Sequence, residues 1–287
     1  MQIFKIFILA LICSGCATQG QKLKASLQGQ YPDQKVLDVP FYAQEKYFCG
    51  PASLSIMANN LGLVTSSDEL APMIYSPEAH GTFQNDIISA TRRLGLIAVP
   101  VNNLKNIVQE INDEHPIMVF QNLGLSWIPK WHYAVVTGYD LSKNEIILHT
   151  GEYKNYRLSF TAFENTWERV SYWGLVIVKP GVIPKTANEL DVVVATAGLE
   201  LLNKWEEAKI SYEKILERWP QSLGALVGLG NVYFNKKDYK KASEYLKLAT
   251  AAHPQSVGAK NNYELASKAY LDEQKTNKNS INTKGRQ

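Results

Sequence analysis

The rhythm of apolar and polar positions changes several times along this chain, and the changes divide it. Residues 6–12 form one unbroken apolar run behind Lys5, and residues 17–35 are polar and rich in Gln and Lys. From 36 to about 180, short apolar runs alternate with amphipathic stretches. Residues 116–122 are apolar enough for a buried strand. Residues 133–139 and 145–149 read as two strands around the polar turn 140–144, and residues 173–178 as a closing strand. Helical spacing predicts helices over 51–61, 83–94 and 104–112, the first with Pro51 in a first turn that tolerates it. Pro180, Gly181 and Pro184 then mark a boundary. The mixture predicts an α+β domain over residues 36–182.

Beyond residue 187 every pattern is helical and it repeats. Trp219-Pro220-Gln221-Ser222 returns as His253-Pro254-Gln255-Ser256, and its two prolines are 34 positions apart. That period resembles the tetratricopeptide repeat. Gly230 and Tyr233 fall where the first helix of such a repeat carries Gly and Tyr. Ala208 and Ala242 fall at the small position of the second helix, and Thr196 replaces an expected Gly. An all-α repeat domain over 187–271 is therefore expected, with 257–271 as a capping helix and 272–287 as a disordered tail. Such helical repeats imply a protein partner.

Composition narrows the class. Hydrophobic residues are 45% and charged residues 20%, a globular balance. A net charge of +3 gives no reason to expect nucleic acid. The apolar run at 6–12 is too short for a membrane span but suits a signal peptide. It ends in Cys13-Ser14-Gly15-Cys16, which resembles the lipobox of bacterial lipoproteins, although Cys13 stands where Leu is usual. The resemblance implies a signal peptide over 1–16, lipidation of Cys16 and a tether over 17–35. A plain cleaved signal peptide is the alternative. Ala17 after the lipid site favours an outer-membrane address facing the periplasm. Of the three cysteines, Cys13 would be removed and Cys16 blocked, which leaves Cys49 with no disulfide partner. A free thiol in an exported protein needs a reason to be there.

Cys49 immediately precedes a predicted helix, where the dipole and a nearby imidazolium would favour thiolate. His132 opens a strand, and Gln44 lies five residues before the cysteine. The blocks VPFYAQEKYFCGPASL and HYAVVTGYD resemble the bacteriocin-processing, double-glycine peptidase family of papain-fold cysteine peptidases and its stand-alone relatives. The resemblance spans roughly residues 36–180. It implies that Cys49 is the nucleophile, His132 the base and Gln44 an oxyanion donor, with peptide cleavage typically after Gly-Gly in a leader. The chain lacks the GxxxxGK[ST] motif of transporter-linked members.

The third triad member departs from that pattern. Asp140 lies eight residues after His132, about 26 Å along one strand. The return strand comes back beside His132 near 149–153. Family members carry an Asp there, usually followed by Pro; this chain has His149-Thr150-Gly151-Glu152. Thr150, Glu152 and His149 are the candidates, His149 the least suited because a second imidazole competes for the proton. His80, His115, His149 and His253 show no metal-ligand spacing, so no metal and no cofactor is expected. Three functions stay open: a lipid-anchored peptidase acting on a peptide or protein, an amide hydrolase or acyltransferase on the same fold, and a catalytically weak or inactive peptide-binding or assembly lipoprotein.

Overall fold

The computed structural model describes residues 26–27, 29–44 and 47–284, with side chains through 278. The signal peptide, Cys16 and the start of the expected tether lie outside the described residues. Two compact units are present: one holds the chain up to Val178 together with Pro184–Ala187, the other Lys179–Ile183 and everything from Asn188.

The first unit is a mixed α/β domain built on a twisted antiparallel sheet. In chain order its elements are β1 (Gln34–Val36), α1 (Cys49–Asn60), α2 (Ser67–Ile74), β2 (Tyr75–Ser76), β3 (Gly81–Thr82), α3 (Gln84–Arg93), β4 (Ile97–Pro100), α4 (Leu104–Asn112), β5 (Ile117–Asn122), β6 (Trp131–Asp140), β7 (Glu145–Thr150), β8 (Tyr153–Ser159), α5 (Phe160–Glu168) and β9 (Gly174–Val178). The sheet order is β4-β9-β5-β6-β7-β8, with β2 and β3 forming a separate ribbon. The apolar runs of β5, β6 and β9 are buried, and α1, whose Leu54, Ile56 and Met57 are buried, packs on β6.

Strand β6 is ten residues long and serves two neighbours on one side. Strand β5 pairs with Trp131 through Val136, and β1 pairs with Gly138 through Asp140. Gly138 permits the second pairing, because any Cβ there would strike the Lys35 carbonyl. Before β1, Leu27 is buried and the Tyr31 hydroxyl accepts from Gln109 at 3.1 Å. The expected tether over 17–35 is thus shortened: its described part from Ser26 onward packs on the domain.

The second unit is all-α: α6 (Glu189–Glu200), α7 (Trp205–Arg218), α8 (Leu223–Asn235), α9 (Tyr239–Ala252) and α10 (Val257–Lys284). Ala208 and Ala242 are buried, as the close helix approach of a repeat demands. Gly228 and Gly230 of α8 leave room for the Tyr212 ring and the Leu246 side chain. The two recurring Pro turns meet where His253 Nε2 stands 2.6 Å from the Gln221 carbonyl. Residues from 272 onward, expected as a disordered tail, continue α10 to Lys284. Residues 272–284 contain neither Gly nor Pro to stop the helix. No helix among the described residues is long and apolar enough to cross a membrane.

Candidate active site

Cys49 is the first residue of α1. At a helix start the amide groups lack intrahelical partners, and Pro51 removes one of them. Burial pushes the Cys49 thiol up from its ordinary 9.0, and this outweighs hydrogen bonds to the sulfur from the backbone of Tyr133, Gly50 and Cys49 itself. Next to it, Gly50 faces β3: a Cβ there would lie 2.6 Å from both Cβ and Oγ1 of Thr82. The absence of a side chain lets the start of α1 seat against β3.

His132 is the second residue of β6, beside the strand residue whose backbone meets the sulfur. Its Nε2 lies 2.7 Å from Thr150 Oγ1 at the end of β7. Burial lowers the imidazole to about 4, and the positive charge of Lys130 adds to that. A neutral hydroxyl supplies no opposing charge. Both shifts favour the neutral forms, thiol and imidazole. Burial of both groups works against the thiolate–imidazolium pair that the helix terminus would favour.

Gln44 is clamped to the β7–β8 turn. Its N–H donates to the Gly151 carbonyl at 3.0 Å, and its Oε1 accepts from the Gly151 N–H at 3.2 Å. Occupation of Oε1 turns the amide nitrogen toward α1, where it donates to Ser53 Oγ at 3.3 Å. Cys49, His132 and Gln44 all line one cleft of about 1000 Å³. Its other walls include Thr82, Phe83, Phe120, Lys130, Trp131, Tyr133 and Arg169. Sequence reasoning missed these walls. The large apolar residues Trp127, Ile128 and Trp131, clustered just before His132 and exposed, were the available signal.

Other candidates fall away from the cleft. His149 is buried facing the opposite way, its Nε2 3.1 Å from the Val39 carbonyl and its Nδ1 accepting from the Asn155 N–H at 3.2 Å. Both ring nitrogens are occupied, so it does not orient His132. Glu152 sits in the exposed turn after β7 and makes no hydrogen bond to His132. Asp140 is at the far end of the hairpin, accepting from Ser142 Oγ at 2.6 Å, the Lys143 N–H at 3.1 Å and Arg157 Nη1 at 3.3 Å. His115 stands with Glu110 and Asp113, their donor atoms within 4.8 Å of one another, a grouping that histidine spacing alone did not reveal. The buried Glu110 carboxylate is already taken by His115 Nδ1 at 2.8 Å and the Thr186 N–H at 2.6 Å.

Residues 36–174 match the Peptidase_C39 like family, and residues 201–260 match the tetratricopeptide repeat. Three solved structures are similar to the first unit. One, described as a C39-like peptidase from Bacillus anthracis, is 16% identical with a TM-score of 0.44 and covers 51% of this chain and 98% of its own. The peptidase domain of Streptococcus ComA, a bi-functional ABC transporter, is 20% identical with a TM-score of 0.38, covering 49% and 96%. A double glycine motif protease from an AMS/PCAT transporter, bound to its leader peptide, is 15% identical with a TM-score of 0.38, covering 50% and 93%. No curated protein matches the chain.

Proposed function

We propose that this C39-like domain works as a cysteine peptidase, with Cys49 as nucleophile, His132 as base and Thr150 as the group that orients His132. The observation that carries the reading is the opening of Cys49, His132 and Gln44 onto one cleft, with Thr150 occupying His132 Nε2. With Nε2–H donated to Thr150, Nδ1 is the free base and takes the thiol proton as sulfur attacks the peptide carbonyl. The oxyanion is received by the Cys49 N–H and the remaining N–H of Gln44 Nε2. Collapse passes the proton to the departing amine, and water then releases the acyl group from sulfur. Gly-Gly-like sites are the first substrates to try, on the strength of the family. The repeats serve as the protein-binding part, and a lipid on Cys16 holds the protein to the cell envelope.

Purified Cys49→Ala protein should fold normally and cut no peptide; turnover surviving in that variant defeats the reading. Gln44→Ala should slow the reaction by roughly 10² to 10³ with little change in affinity. Cys16→Ser should leave turnover intact and move the protein from the membrane to the soluble fraction. A second reading, a peptide-binding lipoprotein with a feeble site, draws on one fact. Thr150 cannot stabilise an imidazolium as a carboxylate would. Its signature is tight peptide binding with no loss of thiol titre and no cleavage.

A further inference from the structure

The described residues that line the cleft carry charge of one sign. Among its described lining residues no side chain is acidic, while Lys130 and Arg169 both reach it. Neither cation forms an ion pair among the described residues, although the chain pairs many of its other lysines and arginines.

One buried residue holds the backbone of Lys130 and the guanidinium of Arg169. Asn122 at the end of β5 is only 2% exposed. Its side-chain oxygen accepts the Lys130 N–H at 2.9 Å and the Gly124 N–H at 3.0 Å. Its backbone carbonyl accepts Arg169 Nη1 at 3.2 Å, and the same nitrogen donates to the Gly124 carbonyl at 2.6 Å. Among the described residues only Nη1 is used, which leaves the rest of the guanidinium for the cleft. Alongside runs an aromatic wall in which Phe120 stacks on Trp131, ring centroids 5.6 Å apart.

We propose that the cleft selects peptides with an acidic side chain, received by Lys130 and Arg169 beside the Phe120–Trp131 wall. The proposal rests on the peptidase reading and names its substrate class. The charge complementarity also bears on rate. Attack by the thiol turns His132 into an imidazolium, which the Lys130 charge opposes. A substrate carboxylate on Lys130 cancels that opposition during the reaction, so acidic peptides gain in kcat as well as in binding.

The test uses the full chain and matched decapeptides containing one aromatic residue, with Glu walked through every position and Gln as its uncharged match. At one position Glu should be favoured over Gln by about fivefold in low salt, with the gain split between KM and kcat and shrinking as salt rises. Lys130→Glu, at an exposed position, should reverse the preference toward a Lys-bearing peptide. Equal treatment of Glu and Gln at every position, or an unchanged preference in Lys130→Glu, overturns the proposal. Binding of the same labelled peptides to Cys49→Ala protein, read by fluorescence anisotropy, separates the two ideas. A Glu preference in binding without any turnover in the native chain sinks the peptidase reading and keeps the acidic selection. Turnover without a Glu preference does the reverse.

Discussion

Thr150 stands where a carboxylate would hold a charged imidazole, and a hydroxyl changes the protonation chemistry of the pair. With His132 lowered to about 4, the base is free through most of the pH range and is lost only below it. The acid limb of kcat/KM should therefore lie near pH 4. Iodoacetamide should alkylate Cys49 faster as pH rises through neutrality toward the raised thiol value; a flat rate from pH 5 upward would reveal a resting ion pair instead. Thr150→Ser should behave as wild type, and Thr150→Ala should lose about 10² in kcat. Thr150→Asp should move the acid limb upward, because a carboxylate favours the protonated ring. Asp140 offers the control. Burial works to raise its carboxyl, but Ser142, Lys143 and Arg157 more than offset it and hold it below its ordinary 3.8. A depressed folded value contributes stability above the unfolded value, lost as pH falls through the folded one. Asp140→Asn should thus cost about 1–3 kcal/mol of stability at neutral pH, read by urea unfolding, and leave turnover unchanged.

Among elements, what the sequence made legible followed apolar content. Strands β5, β6, β7 and β9 announce themselves because their runs are buried. Strand β8, YKNYRLS, is almost wholly exposed at the sheet edge, so no hydrophobic alternation betrays it. Helix α2 did carry a signal, the reciprocal hydrogen bonds of Ser66 and Glu69, which a search for capping boxes would have caught. In the candidate site, motif and order singled out Cys49, His132 and Gln44, which line one cleft. Thr150 could be read only as one of three, since a side chain's face depends on register. The register of β7 slips between Val136 and Gly138 of β6 and again toward β8 between Leu148 and Thr150. Lys130 and Arg169 are joined only through Asn122, which no spacing rule could show. Gly138 makes a testable element: Gly138→Ala should force β1 off β6, costing about 1–3 kcal/mol. Faster amide exchange confined to residues 34–36 and 138–140 would show it.

At the level of the whole chain, the segment between the two units decides where it can be cut. Glu110 is fully buried and needs the Thr186 N–H. A chain ending after Ala187 keeps that donor and should retain peptide turnover. One ending after Val182 leaves a buried carboxylate oxygen unanswered, and its melting temperature should fall about 5 °C below that of the longer piece. Strand β6 has a further meaning at this scale. It begins at the cleft with Trp131 and His132, and it ends where Asp33 and Gln34 lie alongside it. Ten residues at about 3.4 Å each put some 30 Å between the two ends. If the chain is fastened through Cys16 as proposed, the proposed site and the entering N-terminal segment lie at opposite ends of a single strand.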